Sequence, residues 1–130
     1  MRTLYIAEHP DAHLRQALRQ AGHALHSLEP DEAGWAIAES RHQVIVYDVG
    51  APDLSRLRRW HALRPPHAVL LAVIGEHSEA AVSEVLRAGA DACLRRPLSL
   101  LELEARMQAL LRRAVLSAGH ECPKRLSTQL

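Results

Sequence analysis

The stretch Val44-Ile-Val-Tyr-Asp-Val-Gly50 decides how the chain is interpreted, because an unbroken apolar run leads directly into an acidic residue. An apolar run without alternation is typical of a strand that is buried on both faces of a parallel sheet. Asp48 is then expected at the carboxyl end of this strand, which is the edge of an open α/β sheet where ligands bind. A simpler interpretation is that Asp48 only opens a turn, since aspartate is common there.

Short apolar segments followed by helical patterns occur on both sides of this stretch. Asp11, Asp53 and Ser78 are predicted to begin helices, and Gly22 to end one. Because strand and helix alternate five times, the sequence predicts an α/β fold with a doubly wound, five-stranded parallel sheet. The predicted strands cover residues 3–7, 23–28, 43–48, 68–74 and 91–95.

Apolar residues at helical spacing predict the buried face of each helix. The second helix, which Gly34 weakens, is predicted to be short and carries Trp35, Ile37 and Ala38. The predicted inward positions of the other helices are Leu14 and Leu18, Leu57 with either Trp60 or His61, Val85 and Leu86, and Leu103, Met107, Leu110, Leu111 and Ala114.

The same order of elements also occurs in half-barrels and in nucleotide-binding enzymes. Neither Gly-x-Gly-x-x-Gly nor Gly-x4-Gly-Lys-Ser/Thr follows the first strand, which argues against a nucleotide site. A small α/β enzyme that uses the Asp48 edge is the alternative left open by the pattern.

Composition predicts a single globular domain. The chain has 130 residues, of which 48% are hydrophobic, and a formal net charge of +1, which argues against a strongly charged surface for nucleic acid or membranes. Cys93 and Cys122 are interpreted as free thiols in a reducing compartment. The sequence has no recognisable signal peptide and no apolar run that could cross a bilayer, so a cytoplasmic protein is expected.

Three features together resemble the receiver domain of bacterial two-component response regulators. Glu8 follows the first strand, Asp48 ends the third, and the segment Arg87-Ala-Gly-Ala-Asp91 precedes a strand that leads to Arg96-Pro97. The resemblance implies the CheY-like, flavodoxin-type fold with strand order 2-1-3-4-5. The ending Leu110-Leu-Arg-Arg113 is similar to the OmpR/PhoB branch, whose receivers are joined to a winged-helix DNA-binding domain.

The resemblance implies a role for each residue at this edge. Asp48 would be the phosphoacceptor, a nucleophilic carboxylate beside Mg²⁺. Glu8, Asp48 and the backbone carbonyl of Gly50 would hold that ion, which prefers oxygen ligands. Arg96 stands where the family has a lysine that balances the phosphoryl charge.

The sequence departs from the family at several of these positions. His9 replaces the second acid, Ile74 occupies the position of the switch hydroxyl, and Cys93 occupies the aromatic position. We therefore expect an atypical receiver in which Mg²⁺ binding and phosphorylation are weak or absent. The alternative is an interaction module locked in one state, in which Glu8, Asp48 and Arg96 form a permanent ion triad.

The branch also implies a homodimer through the face made by the fourth helix, the fifth strand and the fifth helix. We predict a receiver domain over residues 1–117 and a linker or disordered tail over 118–130, leading to a DNA-binding domain absent from this chain. Expected partners are a second copy and a sensor histidine kinase, with DNA bound only through the absent domain, no membrane and no enzymatic activity. The predicted interface residues are Val82, Asp91, Glu102, Arg106 and Arg113.

Two weaker patterns carry no function in this interpretation. The nine histidines contain no set with structural-zinc spacing, and His23 and His26 are not expected to converge. The cluster Arg56, Arg58 and Arg59 is interpreted as a solvated helix face, since the net charge is small.

Overall fold

A computed structural model of the chain describes residues 1–75 and 78–128, and the surroundings of side chains up to residue 116. A 3₁₀ turn at Pro30–Glu32 precedes the second helix. The elements in chain order are β1 (Arg2–Ile6), α1 (Ala12–Gln20), β2 (Ala24–Leu28), α2 (Ala33–Ala38), β3 (Val44–Val49), α3 (Leu54–Leu63), β4 (Val69–Ile74), α4 (Glu79–Ala88), β5 (Ala92–Arg95) and α5 (Leu100–Thr128).

The five strands form one parallel sheet in the order β2-β1-β3-β4-β5. This confirms the predicted fold class and strand order. β3 lies at the centre, so both of its edges are hydrogen-bonded and both of its faces are covered. That position explains why its sequence is apolar without alternation.

The sheet contributes side chains to two hydrophobic cores, one on each face, because successive side chains of a strand point to opposite faces. Ile45 and Tyr47 pack in the layer that α2, α3 and α4 cover. Val44 and Val46 pack in the layer that α1 and α5 cover. Asp48 continues this second set, so its carboxylate points toward the side of α1 and α5.

Three helices begin at the residues that the sequence predicted. The side chains of Asp11, Asp53 and Ser78 each accept a hydrogen bond from the backbone N–H three residues further on, at 3.1, 3.2 and 3.1 Å. Each of these bonds satisfies an amide that the first turn of a helix leaves unpaired.

A buried polar link ties α5 to the sheet. The hydroxyl of Thr3 on β1 lies 2.6 Å from Nδ1 of His23, and Nε2 of the same ring lies 2.7 Å from Oε1 of Glu104 on α5. Thr3 and His23 are buried, so both ring nitrogens are satisfied without water.

The structure shows which residues three of the helices turn toward the core. Trp60, and not His61, fills the inward position of α3, with only 3% of its surface exposed. Leu86 is 42% exposed, because its neighbour Val85 takes the core-facing position of α4. Trp35 is 56% exposed, since the short α2 turns Ala33, Ala36 and Ile37 inward.

The last helix is longer than predicted. The sequence becomes polar and irregular after residue 117, which predicts the domain boundary there, but the backbone is helical to Thr128. The helix therefore extends into the segment 118–130 that we interpreted as a linker or tail. Over the described residues, no helix combines the length and apolar composition needed to cross a bilayer.

The turn after α4 provides a test of the packing. Gly89 has a φ of +124°, and a Cβ added there would lie 2.5 Å from the Cβ of His61, whereas Gly22 has a φ of +98° and open space around it. We expect Gly22→Ala to cost about 1 kcal/mol of unfolding free energy from backbone strain alone. Gly89→Ala is expected to cost about 1–3 kcal/mol more, because it also creates a clash.

Urea denaturation of the two variants measures this difference. Adding His61→Ala to Gly89→Ala is expected to recover part of the loss. Equal losses in Gly22→Ala and Gly89→Ala would show that the close approach of α4 and α3 imposes no constraint at this position.

Candidate functional site

The carboxyl ends of neighbouring strands bring several predicted site residues to one edge of the sheet. Asp48 is the second-to-last residue of β3, Ile74 ends β4, and Arg96 directly follows β5. The Asp48 side chain is buried, with the residue 8% exposed. Because parallel strands end at the same edge, residues that are distant in sequence meet here.

Arg96 joins two carboxylates at this edge. Its Nη2 lies 2.8 Å from Oδ1 and 2.7 Å from Oδ2 of Asp48, so one nitrogen contacts both oxygens. Its Nη1 lies 3.2 Å from Oδ2 of Asp11. The backbone N–H of Arg96 donates to the carbonyl of Ile74 at 3.0 Å, which fixes where the side chain begins.

Tyr5 completes a closed network around Asp48. Its hydroxyl donates to Oδ2 of Asp48 and accepts a 3.0 Å hydrogen bond from the backbone N–H of Asp11. Tyr5 lies on β1, next to β3 in the sheet, and is fully buried. Asp48 is therefore held by a guanidinium and a phenol, both of which are hydrogen-bond donors.

The surroundings of Tyr5, Arg96 and Asp11 shift the pKa of each group toward the protonation state that these hydrogen bonds need. Burial, and then the bond to Asp48, raises the pKa of Tyr5 above its usual range, so the phenol stays protonated. The bond to Asp48 raises the pKa of Arg96. The backbone N–H of Leu14 is the main cause that lowers the pKa of Asp11, with Arg96 acting in the same direction.

A small open cavity of about 250 Å³ lies over this network. Glu8 and His9, which follow β1, are exposed at its wall, and Glu8 takes no part in the ion pairs described for Arg96. The acid that joins Asp48 and Arg96 is therefore Asp11, and not Glu8 as the ion-triad interpretation predicted. The full lining is Glu8, His9, Asp11, Asp48, Val49, Gly50 and Arg96.

The chain is homologous to a known regulator over most of its length. It is 36% identical over 105 residues to the transcriptional regulatory protein PhoP of Escherichia coli K12, covering 78% of this chain. The chain belongs to the response regulator receiver domain family. It spans about half the length of the curated relatives it matches, 47% in the case of PhoP. No protein-family model matches the chain.

Solved structures of receiver domains share this fold. A CheY-like receiver domain from Methanospirillum hungatei superposes with a TM-score of 0.73 at 22% identity, covering 89% of this chain and 97% of that one. A response regulator from Burkholderia pseudomallei, described as containing a phosphorylated aspartic acid and a calcium ion, gives 0.65 at 23% identity, covering 95% of this chain and 74% of that one. At these identities the likeness establishes the fold alone.

The arrangement at this edge does not fit the Mg²⁺ site that the resemblance implies. Both Asp48 oxygens contact Arg96, and one Asp11 oxygen caps α1 while the other pairs with Arg96. The Gly50 carbonyl accepts a 3.1 Å hydrogen bond from Gly75 N–H. In the described part of the chain, no group of three His, Cys, Asp or Glu residues could hold a metal ion.

Ile74 ends β4 and Cys93 lies within β5. Ile74 is fully buried in the core layer of α2, α3 and α4. It presents no hydroxyl toward Asp48. Cys93 is half-buried and packs against the same core layer, and burial raises the pKa of its thiol.

Sequence analysis missed two members of the site. Asp11 was interpreted only as a helix cap, although it lies close after β1 and so near the same edge. Tyr5 was interpreted as one residue of a buried strand. Nothing in the sequence around Tyr5 predicts a contact with Asp48. The contact depends on the register of β1 beside β3, which places the Tyr5 hydroxyl next to the carboxylate.

Three of the five predicted dimer residues line one groove. Val82 of α4 and Glu102 and Arg106 of α5 border an open cavity of about 670 Å³ beside β5. Asp91 is engaged within the chain, since its carboxylate pairs with Arg64 and accepts from the backbone N–H of Leu70 at 2.8 Å. Arg113, the fifth predicted residue, is exposed further along α5.

The lowered pKa of Asp11 predicts an acid-dependent loss of stability. Its folded pKa lies below its unfolded pKa, so its contribution is complete above about pH 4 and is lost as the pH falls through the folded pKa. Asp11→Asn keeps the helix cap but removes this titration. We expect unfolding free energies measured from pH 6 to pH 2 to fall less steeply in Asp11→Asn than in the wild type. Parallel pH profiles would contradict this assignment.

Proposed function

We propose that this receiver domain acts without phosphorylation of Asp48. The fixed network of Tyr5, Asp11, Asp48 and Arg96 holds it in one state, and it controls transcription by forming a homodimer through the α4–β5–α5 face. Dimerisation would bring together two copies of a DNA-binding domain that lies outside this chain, as the PhoP relatives' description as transcriptional regulators suggests. In this role the domain catalyses no reaction, works in the cytoplasm and meets a sensor kinase only as a docking partner.

The contact between Arg96 and Asp48 carries the proposal. A phosphoacceptor must offer a free carboxylate oxygen to the phosphorus atom, but Arg96 lies within 2.8 Å of both oxygens of Asp48. Separating the pair would leave a buried carboxylate without its cation, and breaking such pairs costs about 3–5 kcal/mol at fully buried sites. The cost is smaller here, because the Arg96 side chain is 35% exposed.

Other groups at the edge support the same conclusion. Tyr5 adds a second donor to Asp48, and the guanidinium already supplies the positive charge that a metal ion would bring. His9 is a poor ligand for Mg²⁺ beside this cation. Ile74 offers no hydroxyl to a phosphoryl group.

Chemical phosphorylation tests the locked site. The chain is incubated with acetyl phosphate and Mg²⁺ and its intact mass is measured. We expect no appreciable adduct in the wild type, because Asp48 is occupied and the Mg²⁺ ligands are incomplete. The double variant His9→Asp/Arg96→Lys restores an acid and removes the planar guanidinium, and it is expected to gain an adduct that Asp48→Asn abolishes.

Arg59→Lys, on the exposed side of α3, is the matched control and is expected to behave like the wild type. A stoichiometric adduct in the wild type that disappears in Asp48→Asn would overturn the proposal. Such a result would restore a phosphorylation switch at this site.

The groove beside β5 supports the dimer part of the proposal. Glu102 and Arg106 are exposed and four residues apart on α5, and Val82 faces them from α4. In a two-fold dimer the same patch meets itself, so an acid and a base on one helix can pair with their counterparts. Asp91 is excluded from this role as long as it pairs with Arg64.

Charge reversal tests this surface. Arg106→Glu is expected to weaken the dimer about tenfold or more in analytical ultracentrifugation, because it places like charges across the two-fold axis. The swap Glu102→Arg/Arg106→Glu is expected to recover much of the affinity. Arg59→Glu on α3 changes the net charge equally and is expected to leave association unchanged.

A strictly monomeric wild-type chain at high concentration would contradict the dimer proposal. The same network at Asp48 would then favour the second candidate, a phosphorylation-independent docking module that binds other proteins in one fixed state. The two candidates share the locked site and differ only in the partner.

A further inference from the structure

Two histidines meet at the edge strand of the sheet, away from the Asp48 network. His26 lies on β2, and His42 lies just before β3, at the opposite end of that strand from Asp48. Nδ1 of His26 is 3.4 Å from Nε2 of His42. The ring centres are 5.4 Å apart and the ring planes differ by 26°.

The direct interaction between these rings is weak. The separation of 3.4 Å is longer than the range of about 2.7–3.2 Å that N–H donors usually span to an oxygen acceptor in proteins, so the contact contributes little. Nδ1 of His42 is buried and makes no hydrogen bond of good geometry.

The same separation matches the spacing of two ligands on one metal ion. With metal–nitrogen bonds of about 2.0–2.1 Å at a tetrahedral angle, the two nitrogens lie about 3.3–3.4 Å apart and the ring centres about 5.2 Å apart. We propose that His26 and His42 form a binding site for a divalent first-row transition metal ion, such as Zn²⁺, Ni²⁺ or Cu²⁺. Nitrogen ligands favour these ions over Mg²⁺ and Ca²⁺.

The surroundings leave room for the ion and its remaining ligands. The two rings border an open cavity of about 520 Å³, and His26 is exposed, so an ion can enter from solvent. Glu39 lines the same cavity, and its carboxylate pairs with Arg41 at 3.3 Å. Since no set of three ligating residues occurs in the described part of the chain, water completes the coordination.

The fluorescence of Trp35 can report metal binding at this site. Trp35 is 56% exposed and packs edge-on against His26, with ring centres 6.4 Å apart. Paramagnetic Cu²⁺ or Ni²⁺ held by His26 is therefore expected to quench its fluorescence. Trp60, the other tryptophan, is buried in the core and packs against Tyr47. Trp35→Phe is expected to abolish the quenching while leaving metal binding intact.

Metal titration of the chelator-treated 130-residue chain tests the proposal. Isothermal calorimetry with Ni²⁺ and Zn²⁺ is expected to show one dominant site. His26→Gln and His42→Gln should each weaken it at least about tenfold, a difference of 1.4 kcal/mol in binding free energy. His67→Gln, at an exposed histidine between α3 and β4, is the matched control and is expected to bind like the wild type.

Thermal unfolding provides a second measurement. Zn²⁺ is expected to raise the Tm of the wild type but not of His42→Gln, because only a ligand that prefers the folded state stabilises it. Binding of wild-type strength in either His26→Gln or His42→Gln would overturn the proposal. An equal loss in His67→Gln would do the same, since it would assign the binding to scattered surface histidines.

Discussion

The ion pair between Arg96 and Asp48 is the interaction on which the interpretation of this domain depends. A charge buried at the carboxyl edge of a parallel sheet is stable only when it has a partner. Here the partner is a side chain of the protein itself, supported by a buried phenol and shared with Asp11. The edge that binds ligands in other α/β proteins is therefore occupied from within.

The sheet makes this arrangement possible. Asp48, Tyr5 and Arg96 come from β3, β1 and the end of β5, and only the parallel order of these strands brings them to one edge. The two apolar layers cover both faces of β3, so the carboxylate has little contact with water. The backbone bond from Arg96 to Ile74 places the guanidinium at this depth.

Much of the fold followed from the sequence, because its signals are local. The unbroken apolar run before Asp48, the caps Asp11, Asp53 and Ser78, and the alternation of strand and helix each depend on a few neighbouring residues. The convergence of Asp48 and Arg96 also followed, since the ends of parallel strands must meet. Glu8 was assigned to the ion triad because it directly follows the predicted strand 3–7, but its exposed side chain lies at the cavity wall.

The other side-chain contacts depend on strand register and helix rotation, which the spacing of residues in the sequence does not determine. Tyr5 contacts Asp48 only through the register of β1 beside β3. Whether Trp60 or His61 faces inward depends on the exact rotation of α3. The pairing of Asp91 with Arg64 joins the start of β5 to the end of α3, 27 residues apart. The convergence of His26 and His42 comes from two separate segments and has no short motif.

Thr3 and Tyr5 lie on the same face of β1, and this has a consequence for the whole domain. Two residues apart, these side chains point to the same face: one holds α5 through His23 and Glu104, and the other holds Asp48. A slip of β1 by a single residue would turn both to the opposite face and break both connections together. Helix α5 and the Asp48 carboxylate are thus both anchored to β1, and a change in the register of that strand is expected to disturb both.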